Sequence, residues 1–127
     1  MNQESEVFFF ELSSLPIPKS NRYLRRKNGK VFKPNRVKNW EVRALWELIN
    51  QASTQLKSAL DCKVCVEVEL TLPDNRRRDI DNMLKSLWDV MEKAGIIKSD
   101  HQIFEVRTKK IIQKNLQKTS IMVKKIS

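Results

Sequence analysis

The stretch VCVEVELTLPDNRRRDIDNMLKSLWDVMEKAG, residues 64–95, changes its hydrophobic period halfway along. Apolar and polar residues first alternate, which predicts a strand of about 63–71 with one face buried. From about 81 to 94, apolar residues recur every three or four positions, which predicts an amphipathic helix that ends at Gly95. Between the two lies a loop that closes with Arg76–Arg78. The stretch therefore predicts a strand, a basic loop and a helix in succession.

The rest of the chain supplies the other elements of one small domain. Alternation predicts strands at 7–12, 103–112 and about 119–126, and a three-to-four spacing predicts a long helix of about 36–60. A basic loop or hairpin of about 19–35 contains Asn28-Gly29, the pair favoured in type I′ turns. The order β-(basic hairpin)-α-β-α-β-β predicts a single α+β domain over 1–127, with a mixed β-sheet and two helices packed on one face.

The net charge of +10 and the isoelectric point near 9.9 indicate a polyanionic partner. The basic residues are concentrated in two segments, one toward each end of the chain. Ten lie between Lys19 and Arg43, and seven lie from Arg107 onward, where there is no acidic residue. Residues 44–106 hold eleven acids against eight bases. Two glycines in the whole chain argue against a phosphate-binding glycine loop, so we expect no nucleotide cofactor.

The N-terminal sequence has no basic region before its short apolar run, and no stretch reaches the length of a transmembrane helix. We therefore expect a cytoplasmic protein with no membrane partner.

Acidic residues gather around the start of the second predicted helix. At a helix start the backbone is still extended, so Asp79 and Asp81 point the same way, and Lys85 lies one turn further along. Asp100 folds back beside them if its strand neighbours the strand at 63–71. Clustered carboxylates without His or Cys favour Mg²⁺ or Mn²⁺, and such a site in a basic surface indicates metal-dependent phosphodiester hydrolysis.

A simpler interpretation of the same acids remains open at this point. An aspartate at a helix start is a standard N-cap, and Lys85 pairs with Asp81 or Asp89 on a solvated face in that interpretation. The spacing alone does not decide between a cap and a metal site.

The sequence PDNRRRDIDNMLKSLWDVMEKAGIIKSDHQI, together with PIPKSNRY upstream, resembles the RusA family of Holliday junction resolvases, which are crossover junction endodeoxyribonucleases. The resemblance implies that Asp79, Asp81 and Asp100 bind the metal and act in catalysis with Lys85. It implies Mg²⁺ as cofactor, for which Mn²⁺ substitutes. It also implies a homodimer that resolves four-way DNA junctions by paired symmetric nicks in recombination and repair.

Basic residues beside the acids and in the hairpin are the expected DNA contacts. The set is Arg76, Arg77, Arg78, Arg22, Arg25, Arg26, Lys27, Lys30 and Lys33. Two alternatives are a non-catalytic basic module that binds nucleic acid, and a nuclease of broader specificity for branched DNA.

Overall fold

The computed structural model describes residues 6–18 and 24–126 of the chain. The strands are β1 (Val7–Leu12), β2 (Leu24–Arg25), β3 (Val31–Phe32), β4 (Val64–Leu72), β5 (Ile103–Ile112) and β6 (Lys118–Lys125). The helices are α1 (Asn35–Gln55) and α2 (Ile80–Lys93), and a short 3₁₀-helix spans Asp100–Gln102. The predicted α+β class and order of elements are confirmed. None of the helices in these two ranges is both long and apolar enough to cross a bilayer.

Four strands form one mixed sheet in the order β1-β6-β4-β5. The pairs β1–β6 and β6–β4 are antiparallel, whereas β4 and β5 are parallel and α2 connects them. A helix that joins two parallel neighbours begins at the C-terminal edge of the first strand and returns the chain to the N-terminal edge. The two ends of α2 therefore lie at opposite edges of the sheet.

The core lies between one face of the sheet and the two helices. Alternate residues of β4 point into it, and Val64, Val66 and Leu70 are fully buried there. The helices contribute apolar stripes that include Leu48 from α1 and Leu87 from α2, both fully buried. The alternation in β4 and the helical spacing in α2 thus decide which faces meet.

The first helix covers the outer edge of β1 with side-chain amides. Gln51 accepts from the backbone N–H of Glu11 at 2.6 Å and donates to its carbonyl at 2.7 Å. Gln55 forms the same pair of bonds with Phe9, at 2.9 and 2.7 Å. Two glutamines one helical turn apart thereby satisfy the strand backbone that would otherwise be open to a neighbour.

Two local expectations were wrong. The first helix ends at Gln55 rather than near residue 60, because Leu60 forms a bridge with Ile97 and its N–H donates to the carbonyl of Ile96 at 2.9 Å. The hairpin turn is not type I′, since Asn28 lacks the positive φ which that turn requires. Only Gly29 has one, at 85°, as the last residue of a three-residue loop.

Candidate active site

The side chain of Asp79 does not cap the helix that it precedes. Asp79 is the N-cap residue of α2 and has an extended backbone, yet its carboxylate forms no capping hydrogen bond. The side chain is 55% exposed, and the Nε of Arg77 lies 3.9 Å from one oxygen. Asp81 follows in the first helical turn, where the positive end of the helix dipole favours negative charge. Capping therefore does not account for the carboxylate of Asp79.

Asp74 organises the arginine-rich loop before α2. Its Oδ1 accepts from the guanidinium of Arg78 at 2.7 Å and from the backbone N–H of Arg76 at 3.0 Å. The bond from Arg78, followed by that from the Arg76 backbone, lowers the pKa of the Asp74 carboxyl from 3.8 to about 2. Arg78, predicted as a phosphate contact, is thus held by Asp74, whereas the side chain of Arg77 is 93% exposed.

A lysine from the sheet fixes the same loop from the other side. The Nζ of Lys110, in β5, donates to the carbonyl of Arg78 at 3.0 Å. This contact ties the residue directly before Asp79 to the C-terminal half of β5.

The arginines and Asp79 line a groove of about 640 Å³. Its other walls come from the Pro-rich segment after β1, the start of α1 and the β5–β6 loop. The lining residues are Leu15, Pro16, Ile17, Pro18, Arg36, Arg76, Arg77, Arg78, Asp79, Asn82, Met83 and Gln117. Arg36 and Gln117 were not among the predicted site residues; Arg36 lay within the basic N-terminal run, and Gln117 had no signal in the sequence. The groove combines cationic walls with a carboxylate, as a phosphate–metal site requires.

Asp81 and Lys85 lie on one exposed stripe of α2, since residues four apart share a helix face. Neither lines the groove. In the described part of the chain, Lys85 and Asp81 form no ion pair, so that part of the simpler interpretation lacks support.

The structure does not bring Asp100 to the start of α2 within one chain. The backbone N–H of Asp100 donates to Glu92 in the last turn of α2, at 2.7 Å. The strand after Asp100 does neighbour β4, which was the condition for that placement, but the pairing is parallel and puts Asp100 at the opposite edge. At 1.5 Å per residue, the length of α2 separates the two sites by about 20 Å. Accordingly, no three metal-ligating side chains cluster within residues 6–18 and 24–126.

The predicted basic hairpin is present as β2 and β3. Arg25, Arg26, Lys27 and Lys30 are exposed on it, and the guanidinium of Arg26 stacks 4.4 Å from the centre of the Phe32 ring. Lys33 instead forms an ion pair with Glu41 of α1 at 2.8 Å, which anchors the base of the hairpin. Arg22 lies outside the described residues.

The chain is similar to known proteins over most of its length. A family model described as endodeoxyribonuclease RusA matches residues 14–124. A crossover junction endodeoxyribonuclease RusA of Aquifex aeolicus (strain VF5) is 56% identical over 124 residues, which cover 98% of this chain and 96% of that protein.

Two more distant relatives carry the same name. The protein of Enterobacteria phage HK97 is 34% identical over 73% of this chain and 76% of its own length. That of Escherichia coli (strain K12) is 30% identical over 74% of this chain and 76% of its own length.

These matches define a class of enzyme, the endodeoxyribonucleases. The chain belongs to the RusA family, and the resemblance inferred from the loop, the acids and the second helix is confirmed.

Proposed function

We propose that the protein is a Mg²⁺-dependent endonuclease that resolves four-way DNA junctions by paired symmetric nicks, in recombination and repair. The observation that carries this proposal is the arginine-lined groove at the start of α2. The carboxylate of Asp79 lies in this groove and does not cap the helix. The names of the relatives, crossover junction endodeoxyribonucleases, supply the substrate class. Mn²⁺ is expected to substitute for Mg²⁺, no nucleotide cofactor is needed, and the cytoplasm is the expected compartment.

The residues at the start of α2 fit a hard divalent cation. Mg²⁺ binds through one or two carboxylates and completes its octahedron with water and phosphate oxygens. Asp79 and Asp81 offer two carboxylates that no other part of the described chain engages closely. If Asp79 and Asp81 hold such a cation, it would supply an activated water for attack and would offset negative charge on the scissile phosphate.

The other groups of the site have electrostatic and positioning roles. Arg77 and Arg36 hold backbone phosphates in the groove, and Arg76 extends that contact along the loop. Lys85 offsets charge that develops on the phosphate during cleavage. Arg78, held by Asp74 and Lys110, keeps the loop in the shape that aims Asp79 into the groove.

Asp100 joins this site from a second copy of the chain. Within one chain it lies at the far end of α2, and so it shares no ion with Asp79 or Asp81. When two copies are related by a two-fold axis and their α2 helices run antiparallel, the Asp100 end of one copy lies beside the Asp79 end of the other. A homodimer of this kind has two active sites, which matches a four-way junction that is cut symmetrically on two strands.

The test uses an end-labelled immobile four-way junction, with Mg²⁺ or with EDTA. The wild-type protein is expected to nick two opposing strands only with the metal, while Asp79→Asn and Asp81→Asn bind the junction but do not cut it. Glu6→Gln, an exposed acid directly before β1, is the charge-matched control and should cut normally.

Three results would contradict the proposal or narrow it. Binding without any cut in Mg²⁺ or Mn²⁺ would indicate a non-catalytic nucleic-acid-binding module. Cutting by Asp79→Asn at the wild-type rate would remove that residue from the site. Equal cutting of forks, flaps and junctions would indicate a nuclease of broader specificity.

A further inference from the structure

Two buried hydroxyl groups interrupt the apolar core beside the groove. Among the described residues, three uncharged polar side chains are almost completely buried, namely Thr71, Ser86 and Thr119. Ser86 lies in the apolar stripe of α2, between Met83 and Leu87, where the helical spacing predicts an apolar side chain. A buried hydroxyl group that breaks such a pattern needs a hydrogen-bond partner, and it frequently marks a functional requirement.

The hydroxyl groups of Ser86 and Thr119 both donate to the backbone of one short stretch, residues 13–18, which we call the proline segment. The Oγ of Ser86 donates to the carbonyl of Ile17 at 2.5 Å. The Oγ1 of Thr119, in β6, donates to the carbonyl of Ser14 at 2.7 Å. Helix α2 and strand β6 therefore hold the proline segment at two separate points.

The proline segment depends on such side-chain contacts for its position. It follows β1 and belongs to no helix or strand, so it takes part in no ladder of backbone hydrogen bonds among the described residues. Pro16 and Pro18 lack an N–H group, and their rings restrict φ, which stiffens the segment. Trp40 of α1 adds one bond, from its Nε1 to the Oγ of Ser14 at 3.1 Å. Side chains from three elements thus give the segment a defined place.

The place of the proline segment matters because it forms a wall of the arginine-lined groove. Residues 15–18 line this groove together with Asp79. Ser86 lies on α2, the helix that begins directly after Asp79, and Thr119 lies two residues after Gln117, which also lines the groove. The two hydroxyl groups therefore connect this wall to the elements that carry the rest of the groove.

We propose that Ser86 and Thr119 are positioning residues: they hold the proline segment against α2 and β6, and the segment sets how close a DNA backbone comes to Asp79. This proposal rests on the proposed function, which places a scissile phosphate in the groove. Both hydroxyl groups are buried, so they act through the segment and not by contact with DNA. Cleavage depends steeply on geometry, because a misplacement of 1 Å costs about 10²-fold in rate.

The first experiment uses Ser86→Ala and Thr119→Val, each of which removes one hydroxyl group and little volume. Single-turnover cleavage of a four-way junction at saturating protein should fall on the order of tenfold in each variant, since the segment is loosened and not removed. Nicks should also spread to phosphodiester bonds beside the wild-type position. The log–log salt slope of junction binding should stay the same, because every basic side chain is still present.

Thr108→Val is the matched control, since the Oγ1 of Thr108 is buried and has no hydrogen-bond partner among the described residues. It should cut at the wild-type position and rate. Circular dichroism melting of all three variants separates stability from positioning. If Ser86→Ala and Thr119→Val melt earlier but cut at the wild-type position and rate, their hydrogen bonds are merely structural and the proposal is overturned.

A second experiment does not need cutting. Hydroxyl-radical footprints of the bound junction without Mg²⁺ should show sharp limits of protection for the wild type, and blurred or shifted limits for Ser86→Ala and Thr119→Val. Identical footprints for the wild type and both variants would overturn the positioning role. A sharp wild-type footprint that the variants lose, in a protein that never cuts with Mg²⁺, would instead contradict the proposed function alone.

Discussion

Glu92 accepts the backbone N–H of Asp100 at 2.7 Å, and this contact holds Asp100 at the end of α2 that is remote from Asp79. The parallel pairing of β4 with β5 makes the separation a property of the topology rather than of one side-chain rotamer. A metal site that uses both aspartates therefore has to be assembled from two copies.

Lys85 should matter for cutting and not for stability. Lys85→Ala removes an exposed side chain, so we expect the free energy of unfolding to change by no more than about 0.5 kcal/mol. Junction cleavage should fall on the order of 10²-fold, because a charge that stabilises the transition state is lost. Urea unfolding and single-turnover cleavage measure the two effects. Leu87 is fully buried two residues away, and Leu87→Ala should show the opposite pattern. Its free energy of unfolding should fall by about 2–5 kcal/mol, while cleavage by the folded protein should change less than in Lys85→Ala.

The carboxyl of Asp74 should titrate near pH 2. Because its pKa is lowered from 3.8 to about 2 in the folded protein, it stabilises the fold above about pH 3.8, and this contribution disappears as the pH falls toward 2. Carboxyl ¹³C chemical shifts measure the midpoint directly. Arg78→Gln removes the first cause of the shift, so its midpoint should move up toward 3.8. An unchanged midpoint in that variant would show that the Arg78 contact is not formed in solution.

Loss of Asp74 should also weaken activity without touching the metal ligands. Asp74→Asn leaves the guanidinium of Arg78 without its carboxylate partner at 2.7 Å, and the loop before Asp79 loses that restraint. Cleavage should fall on the order of fivefold, because the net contribution of a single hydrogen bond is small. The dependence of cleavage on Mg²⁺ concentration should stay the same, and a large shift in it would place Asp74 among the ligands instead.

Arg77 should contribute one phosphate contact. Its side chain is 93% exposed beside the groove, so Arg77→Gln should weaken junction binding and reduce the log–log salt slope by about 0.9. Lys57→Gln removes an equal charge from an exposed position outside the groove and should leave the slope unchanged. Equal slopes for both variants and the wild type would contradict a role for the groove in holding DNA.

The spacing of apolar residues along the sequence predicted most of the helices and strands, and the boundaries of β1 and β5 match the prediction. The end of α1 was missed because Ala59 and Leu60 continue the helical spacing while Leu60 forms a long-range bridge to Ile97. Periodicity does not encode which strands are neighbours. Once β4 and β5 are neighbours, however, the helix that connects them makes the pair parallel and places Asp100 at the edge opposite Asp79, so the expected clustering of the three aspartates in one chain overlooked this rule. Asp74 contacts Arg76 and Arg78, two and four residues along the chain, but the loop conformation that allows these contacts follows no periodic pattern. Arg36 reaches the groove from the start of α1, and nothing in its spacing distinguished it from a surface charge.

The most direct test of the account mixes two inactive subunits. Chains with Asp79→Asn and chains with Asp100→Asn are co-expressed with different tags, and the mixed dimer is isolated by both tags. If Asp100 acts across the dimer, one of the two sites in the mixed dimer is intact, and it should nick one strand of a four-way junction while either pure variant does not cut. A mixed dimer as inactive as its parents would contradict the shared site, and active parents would contradict the assigned aspartates.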